Sequence, residues 1–191
     1  MIPRLAVASK NPNKIREVEE VLASTGLVGE IVRGLDWPDV EETGETLEMN
    51  ALLKARTAVD ATGLPALADD TGLEVDALDG RPGVRSSRFA GPDSSYEENV
   101  ALLLETMDGI SDRSARFRTV VALVFPDGVE VTAEGVVEGS IIEAPRGSHG
   151  FGYDPVFEVE GRTLGEMTLE EKSSLSHRAR AIRALAGYLG L

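Results

Sequence analysis

The chain has 191 residues, with 33 Asp and Glu against 19 Lys and Arg, a formal net charge of −14 and no cysteine. A chain this long buries a core without covalent staples and suits one domain or two small lobes, while the lack of cysteine excludes disulfides and thiolate metal sites. The acidic balance argues against nucleic acid or an anionic membrane as partner, since both need a basic footprint, and without a signal-like N-terminus or an apolar run of spanning length the expectation is a cytoplasmic protein.

Residues 4–8 read as a short apolar strand, followed by the polar stretch S-K-N-P-N-K at 9–14 and a helix with Ile15, Val18, Val21 and Leu22 at helical spacing. Strand, polar loop and helix start together place backbone N–H groups and Lys14 where an anion binds well. The glycines and the Lys-Ser/Thr pair of a Walker loop are absent, so a plain helix cap is the competing reading. Residues 30–34 suggest a second strand. An acidic loop at 36–45 precedes a helix expected from about Thr46 to Thr62, ending before Gly63 and Pro65. On that helix Asn50 and Lys54 are four apart and share a face. Glu41 and Glu42, just ahead of it, are candidate metal ligands.

The stretch A-L-A-D-D-T-G-L-E-V-D-A-L-D-G at 66–80 reads as a buried strand running into two carboxylates, Asp69 and Asp70, and a glycine turn. A hard divalent cation takes one or two protein carboxylates plus substrate phosphates. Successive strand residues face opposite ways, so one Asp is expected to act as ligand or base and the other to support it. A merely structural turn cap is the alternative.

Residues 80–91 form a long loop rich in Gly, Pro, Arg and Ser, of a kind that is often functional. Ser95-Tyr96-Glu97-Glu98 fits a capping box opening a helix with Val100, Leu103, Leu104 and Met107 inward. Residues 115–125 and 129–139 flank Pro126-Asp127-Gly128 as a β-hairpin. The G-F-G-Y-D-P run at 150–155 offers aromatics between glycines, suited to a flat ligand or to a packed turn. Thr168 to Glu171 is another capping box. A last helix follows Ser176-His177-Arg178, its inward face expected at Ile182, Leu185, Ala186 and Leu189.

Taken together, six motifs from residue 9 to residue 178 resemble the inosine triphosphate pyrophosphatase (Ham1-like) family. They are S-K-N-P-N-K, E-E-T-G-E-T-L-E-M-N-A-L-L-K-A at 41–55, A-D-D-T-G-L-E-V-D-A-L at 68–78, G-R-P-G-V-R-S-S-R-F-A-G at 80–91, G-F-G-Y-D-P-V-F at 150–157 and E-K-S-S-L-S-H-R at 171–178. The resemblance implies an α/β fold over residues 1–191: a long twisted mixed β-sheet flanked by helices, in two lobes with the nucleotide cleft between them. It implies a homodimer that hydrolyses ITP, dITP and XTP to the monophosphate and pyrophosphate with Mg²⁺.

Carried over by position, Ser9, Lys10, Asn11, Pro12, Asn13 and Lys14 hold the phosphates, with Asn50 and Lys54 on the substrate side as well. Asp70 is general base and Mg²⁺ ligand, with Glu41 and Glu42 as further metal candidates. Thr71 contacts substrate, and Phe151, Gly152, Tyr153, Asp154, Lys172, His177 and Arg178 frame the base. Donors from His177, Arg178 or nearby backbone would meet the purine O6. Lys10, Asn13, Met49 and His149 depart from the family's usual residues. A haloacid-dehalogenase-like phosphatase fits less well, since its D-x-D-x-T spacing is absent, and a non-catalytic nucleotide sensor is the second alternative.

Overall fold

Alternation and helical spacing in the chain produce thirteen regular elements in the computed structural model, which describes residues 1–190. In order they are β1 (Ile2–Val7), α1 (Pro12–Thr25), β2 (Val28–Val32), α2 (Leu47–Thr62), β3 (Ala66–Val75), β4 (Pro82–Gly83) and α3 (Tyr96–Thr106). There follow β5 (Ser114–Val124), β6 (Glu130–Ile141), β7 (Phe157–Val159), β8 (Arg162–Thr163), α4 (Leu169–Leu175) and α5 (His177–Tyr188). The strands form one mixed sheet in the order β2-β1-β3-β5-β6-β7-β8, with β4 paired to β3. None of the helices is long and apolar enough to cross a membrane among the described residues.

The chain divides into two compact units, each built from separate segments, so that β3, β5 and β6 contribute residues to both. The first comprises Met1–Asp70, Thr119–Gly135 and the chain from Ser176. Here β1 pairs in parallel with β2 (Leu5 opposite Ile31) and with β3 (Val7 opposite Leu67). Strands buried on both faces read as apolar runs rather than as alternation, which explains why L-A-V-A and A-L-A carry no period-two signal. Leu5, Val7, Leu22, Leu67, Val121, Leu123, Ile182 and Leu185 form its core. Both α1 and α2 stop at a glycine in the left-handed region, Gly26 and Gly63, where a side chain would cost strain.

The second unit comprises Thr71–Arg118 and Val136–Leu175. Within it Leu73 pairs antiparallel with Gly83, and Ile141 with Phe157. Leu73, Val75, Leu103, Met107, Phe117, Val137, Phe157 and Leu164 make a separate core, with the Phe117 and Phe157 rings 4.7 Å apart in a tilted pair. The capping box expected at Ser95 closes: its hydroxyl accepts from the Glu98 N–H at 3.1 Å, and Glu98 accepts from the Ser95 N–H at 2.7 Å.

Two expectations are corrected. No turn follows the acidic pair; β3 runs unbroken through Asp-Asp-Thr-Gly to Val75. Gly72 serves contact instead, because a Cβ there would lie 2.8 Å from the Gly83 carbonyl oxygen on the paired strand. Leu189, expected inward, is exposed because α5 ends at Tyr188 and the inward stripe ends with Ala186.

Candidate active site

Asp69 and Asp70 are both buried, at 4% exposure each, on adjacent positions of β3. Their side chains therefore depart to opposite faces, and each meets a different set of cations. Asp69 Oδ2 accepts from Arg178 Nη2 at 3.0 Å and Nε at 3.2 Å, and lies 3.3 Å from Lys14 Nζ. Glu17, also buried, takes a third guanidinium N–H of Arg178. Burial alone would raise the Asp69 carboxyl, but Arg178, Lys14 and Lys54 outweigh it and hold the group well below the usual carboxylate range. Asp69 is thus a fixed anion that anchors Lys14 and Arg178.

Asp70 has the opposite character. Its Oδ1 accepts from Lys54 Nζ at 2.7 Å and its Oδ2 from Asn50 Nδ2 at 3.3 Å. Burial pushes its carboxyl above the ordinary value, Lys54 opposes that, and the nearby Glu42 carboxylate reinforces it. Burial likewise disfavours the charged Lys54, but Asp70, Asp69 and Glu42 together raise it. A carboxylate whose affinity for a proton is increased by its surroundings is the chemical profile of a general base.

The local sequence explains how these groups are held. Thr46 caps α2 by accepting from the Met49 N–H, and α2 then sets Asn50 and Lys54 one turn apart. Asn50, fully buried, accepts from the Gly44 N–H at 2.8 Å, and Lys54 reaches Glu42 at 2.8 Å. The acidic loop is therefore pinned to α2 at two points. Gly44 is required there, since a Cβ would lie 2.5 Å from Asn50 Oδ1. Glu42 and Asp70 converge on the same ammonium, whereas Glu41 is exposed with its backbone carbonyl accepting from the Thr43 N–H. Two hard oxygen donors already holding one cationic head are a donor set that suits Mg²⁺, which takes few protein carboxylates and completes its shell with phosphate and water. No group of three or more His, Cys, Asp or Glu side chains that could hold a metal ion occurs among the described residues.

At S-K-N-P-N-K, Asn11 is the N-cap of α1 and Pro12 its first residue. The Asn11 side chain accepts from the Asn13 N–H at 2.9 Å and the Lys14 N–H at 3.4 Å, while Ser9 Oγ accepts from the Asn11 N–H at 3.2 Å. The loop is preorganised by its own side chains. Exposed Lys10 pairs with Asp39 at 2.5 Å, and Lys14, by contrast, is turned inward to Asp69.

The second unit holds its own constellation. Asp154 and Lys172, each buried, pair at 2.8 Å, and Asp154 also accepts from the Phe151 N–H at 2.9 Å. Gly150 has a φ of +76°, and any Cβ there would overlap the Asp154 carboxylate. The glycine before Phe151 is thus a consequence of the ion pair behind the ring. Lys172 Nζ lies 5.5 Å from the Phe151 ring centroid and the Tyr96 ring 5.8 Å from it at 45°. Phe151 and Gly152 are half-buried, and Tyr96 is 39% exposed, so an aromatic face meets solvent here. Tyr153 is buried, donates its hydroxyl to the Ser86 carbonyl at 2.8 Å, and has its pKa pushed up by burial. Thr71, the first residue of this unit, is half-buried.

His177 and Arg178 open α5, capped by Ser176, and both are buried. The resemblance placed both at the base; the structure commits three Arg178 N–H donors to Asp69 and Glu17. Glu17, Thr119, Tyr96 and Ser86 escaped the sequence reading. Only Glu17 left a signal, as a charged residue beside the apolar stripe of α1 and three positions after Lys14.

A sequence model described as the Ham1 family matches residues 5–188. The chain is 47% identical to a dITP/XTP pyrophosphatase of Geobacter sulfurreducens over 98% of this chain and 96% of that protein. It is 52% identical to a dITP/XTP pyrophosphatase of Symbiobacterium thermophilum, over 94% and 91% respectively. Among solved structures, a HAM1 protein from Coxiella burnetii superposes with a TM-score of 0.87 at 41% identity, covering 99% of each chain.

Proposed function

This chain belongs to the Ham1 family, and from that premise we propose that it hydrolyses dITP, ITP and XTP to the nucleoside monophosphate and pyrophosphate. The observation that carries the reading is Asp70, a buried carboxylate of raised proton affinity held by Lys54 and Asn50. In the proposed reaction Asp70 removes a proton from water as its oxygen bonds the α-phosphorus. The bond from that phosphorus to the bridging oxygen breaks, and pyrophosphate departs with the electron pair. There is little covalent chemistry for a protein to perform in such a transfer, so placement and charge dominate.

Lys14, kept in place by Asp69, and the capped loop Ser9–Lys14 serve the phosphates. Asp70 and Glu42 are the residues that would hold Mg²⁺, with Glu41 a further candidate; the ion supplies charge neutralisation of the triphosphate. Phe151, with Gly152, Tyr153, Asp154 and Lys172 behind it, offers a flat face for a purine. His177 supplies a polar contact to the base, and Arg178 acts mainly through Asp69. Homodimeric assembly and a cytoplasmic location belong to the same proposal.

The test is pyrophosphate release measured across common and deaminated nucleoside triphosphates, with Mg²⁺ and with EDTA. Pyrophosphate, rather than single phosphates, is expected from dITP and XTP, and only with the metal. Asp70→Asn should leave the fold intact by circular dichroism and remove turnover. Retention of a tenth of the wild-type kcat, roughly 1.4 kcal/mol of barrier, would eliminate Asp70 as the base.

A further inference from the structure

Phe151 stands between Gly150 and Gly152, both at positive φ, so its immediate neighbours supply no side chain to hold the ring. Asp154 fixes the backbone by accepting from the Phe151 N–H at 2.9 Å, but a backbone bond leaves the side-chain torsions to be set by other contacts. Two other elements of the second unit reach the ring. Lys172, on α4 and buried against Asp154, comes within 5.5 Å of its centroid. Tyr96, the first residue of α3, brings its own ring to 5.8 Å at 45°. Tilted aromatic pairs about 4.5–7 Å apart attract one another beyond the area they bury.

The backbone that presents Tyr96 is braced on both sides. Ahead of it the Ser95–Glu98 box closes the helix start. Behind it Asn99 is 2% exposed, and its amide gathers three points of the preceding loop. Its Oδ1 accepts from the Ala90 N–H at 2.8 Å and from the Ser94 hydroxyl at 3.0 Å, while Nδ2 donates to the Ser87 carbonyl at 3.2 Å. A satisfied buried polar network of this kind is rigid. The Tyr96 ring itself remains at the surface, against a half-buried Phe151. A firm support thus carries a ring whose printed aromatic contact is with Phe151.

We propose that Tyr96 is a positioning residue for Phe151: its ring, carried on the braced start of α3, holds the Phe151 ring in the orientation that takes a purine face. This rests on the functional reading above, in which Phe151 offers a flat face to the base. A preset ring spares the substrate the cost of ordering it. Tyr96 therefore acts on affinity for the base and not on the reacting phosphorus. Every base has a π-face, so the gain is shared by dITP and XTP alike.

The test pairs Tyr96→Leu, which removes the ring at an exposed helix start, with Tyr96→Phe, which keeps it. The chain has five phenylalanines, so ring-¹³C-phenylalanine spectra of the nucleotide-free protein are simple, and Phe151→Leu assigns the Phe151 signal. That signal should carry a ring-current shift in wild type and in Tyr96→Phe, and lose it in Tyr96→Leu. For both dITP and XTP, Tyr96→Leu should raise KM about 3- to 10-fold with kcat within about twofold of wild type, the scale of one lost aromatic pair that serves binding alone. Tyr96→Phe should keep the wild-type KM. A Phe151 signal unmoved by Tyr96→Leu would overturn the inference. So would a folded Tyr96→Leu protein with wild-type KM, or an equal rise of KM in Tyr96→Phe. If no nucleotide releases pyrophosphate, the functional reading fails, while the Phe151 spectrum still decides whether Tyr96 holds the ring.

Discussion

At the scale of single residues, the adjacent carboxylates show how strand geometry divides labour. Asp69 and Asp70 are equally buried, yet one is held ionised and the other has its proton affinity raised, because the pleat turns them toward different cations. Arg178 and Lys14 meet Asp69; Lys54 and Glu42, of opposing sign, meet Asp70. The pH consequence for activity has a definite sign. As a base Asp70 works deprotonated, so its pKa in the protein sets the acid limb of kcat/KM, above the ordinary 3.8 of an aspartate. Lys54 is the chief influence lowering that pKa. Lys54→Gln should therefore move the acid limb to higher pH, as well as lowering the rate. A limb that stays in place or moves down would show that Asp70 is not the titrating group.

The stability consequences of the two carboxylates oppose each other. The depressed pKa of Asp69 contributes stability that is present above its ordinary 3.8 and is lost as pH falls toward its folded-state value. The raised pKa of Asp70 contributes stability present below 3.8 and lost as pH rises through its folded-state value. A carboxylate kept in that second condition costs stability at neutral pH and is retained for chemistry.

At the scale of elements, β3 and α2 act as rulers. Continuation of β3 through the acidic pair keeps the two side chains on fixed opposite faces, where a turn would leave both adaptable. That continuity depends on Gly72 beside the Gly83 backbone, 2.8 Å from any Cβ. A carbonyl cannot yield as a flexible side chain would. Gly72→Ala should destabilise by about 1–3 kcal/mol, the usual cost of overpacking, and should lower kcat, since Thr71 and Asp70 immediately precede it. Urea unfolding and steady-state kinetics on the same preparation read both effects. Wild-type stability in the variant would mean that β4 can shift away at no cost. The α2 ruler works through a four-residue spacing: Asn50 holds Gly44 and Lys54 holds Glu42, so the helix pins a loop that has little hydrophobic content of its own.

At the scale of the whole molecule, a chain of net charge −14 is proposed to take a polyanionic substrate. Its bulk field opposes that substrate, so recognition must come from local cations and from the base. Lys14 and Lys54 are paired with Asp69, Asp70 and Glu42, so the attraction they offer the phosphates is tempered and is the same for every triphosphate. Selectivity should accordingly be high: kcat/KM for dITP and XTP at least about 100-fold above that for GTP, with ATP no better than GTP. This corresponds to one or two buried unpaired polar groups at about 1–3 kcal/mol each. Parallel progress curves for the four nucleotides measure it, and comparable rates on GTP and dITP would refute base-centred recognition.

The family was legible in the sequence because its six motifs keep fixed spacings, and spacing survives when only one dimension is known. The helices were legible too, through caps and glycine stops at Thr46, Ser95, Gly63 and Gly26, since a cap is a contact between residues a few positions apart. Strand β3 was misread at its end: an acidic pair before a glycine has turn chemistry, and the partner that keeps it extended, Gly83, lies on another strand. The buried ion pairs of Arg178 were hidden because Glu17 and Asp69 reach it from more than a hundred positions away. The contact of Thr119 with His177 was invisible for the same reason. Local hydrogen bonds and hydrophobic period are written along the chain, so sequence alone determined the elements and the family. Which carboxylate is held ionised and which carries the raised proton affinity depend on charges brought together only by folding, and those the tertiary structure decided.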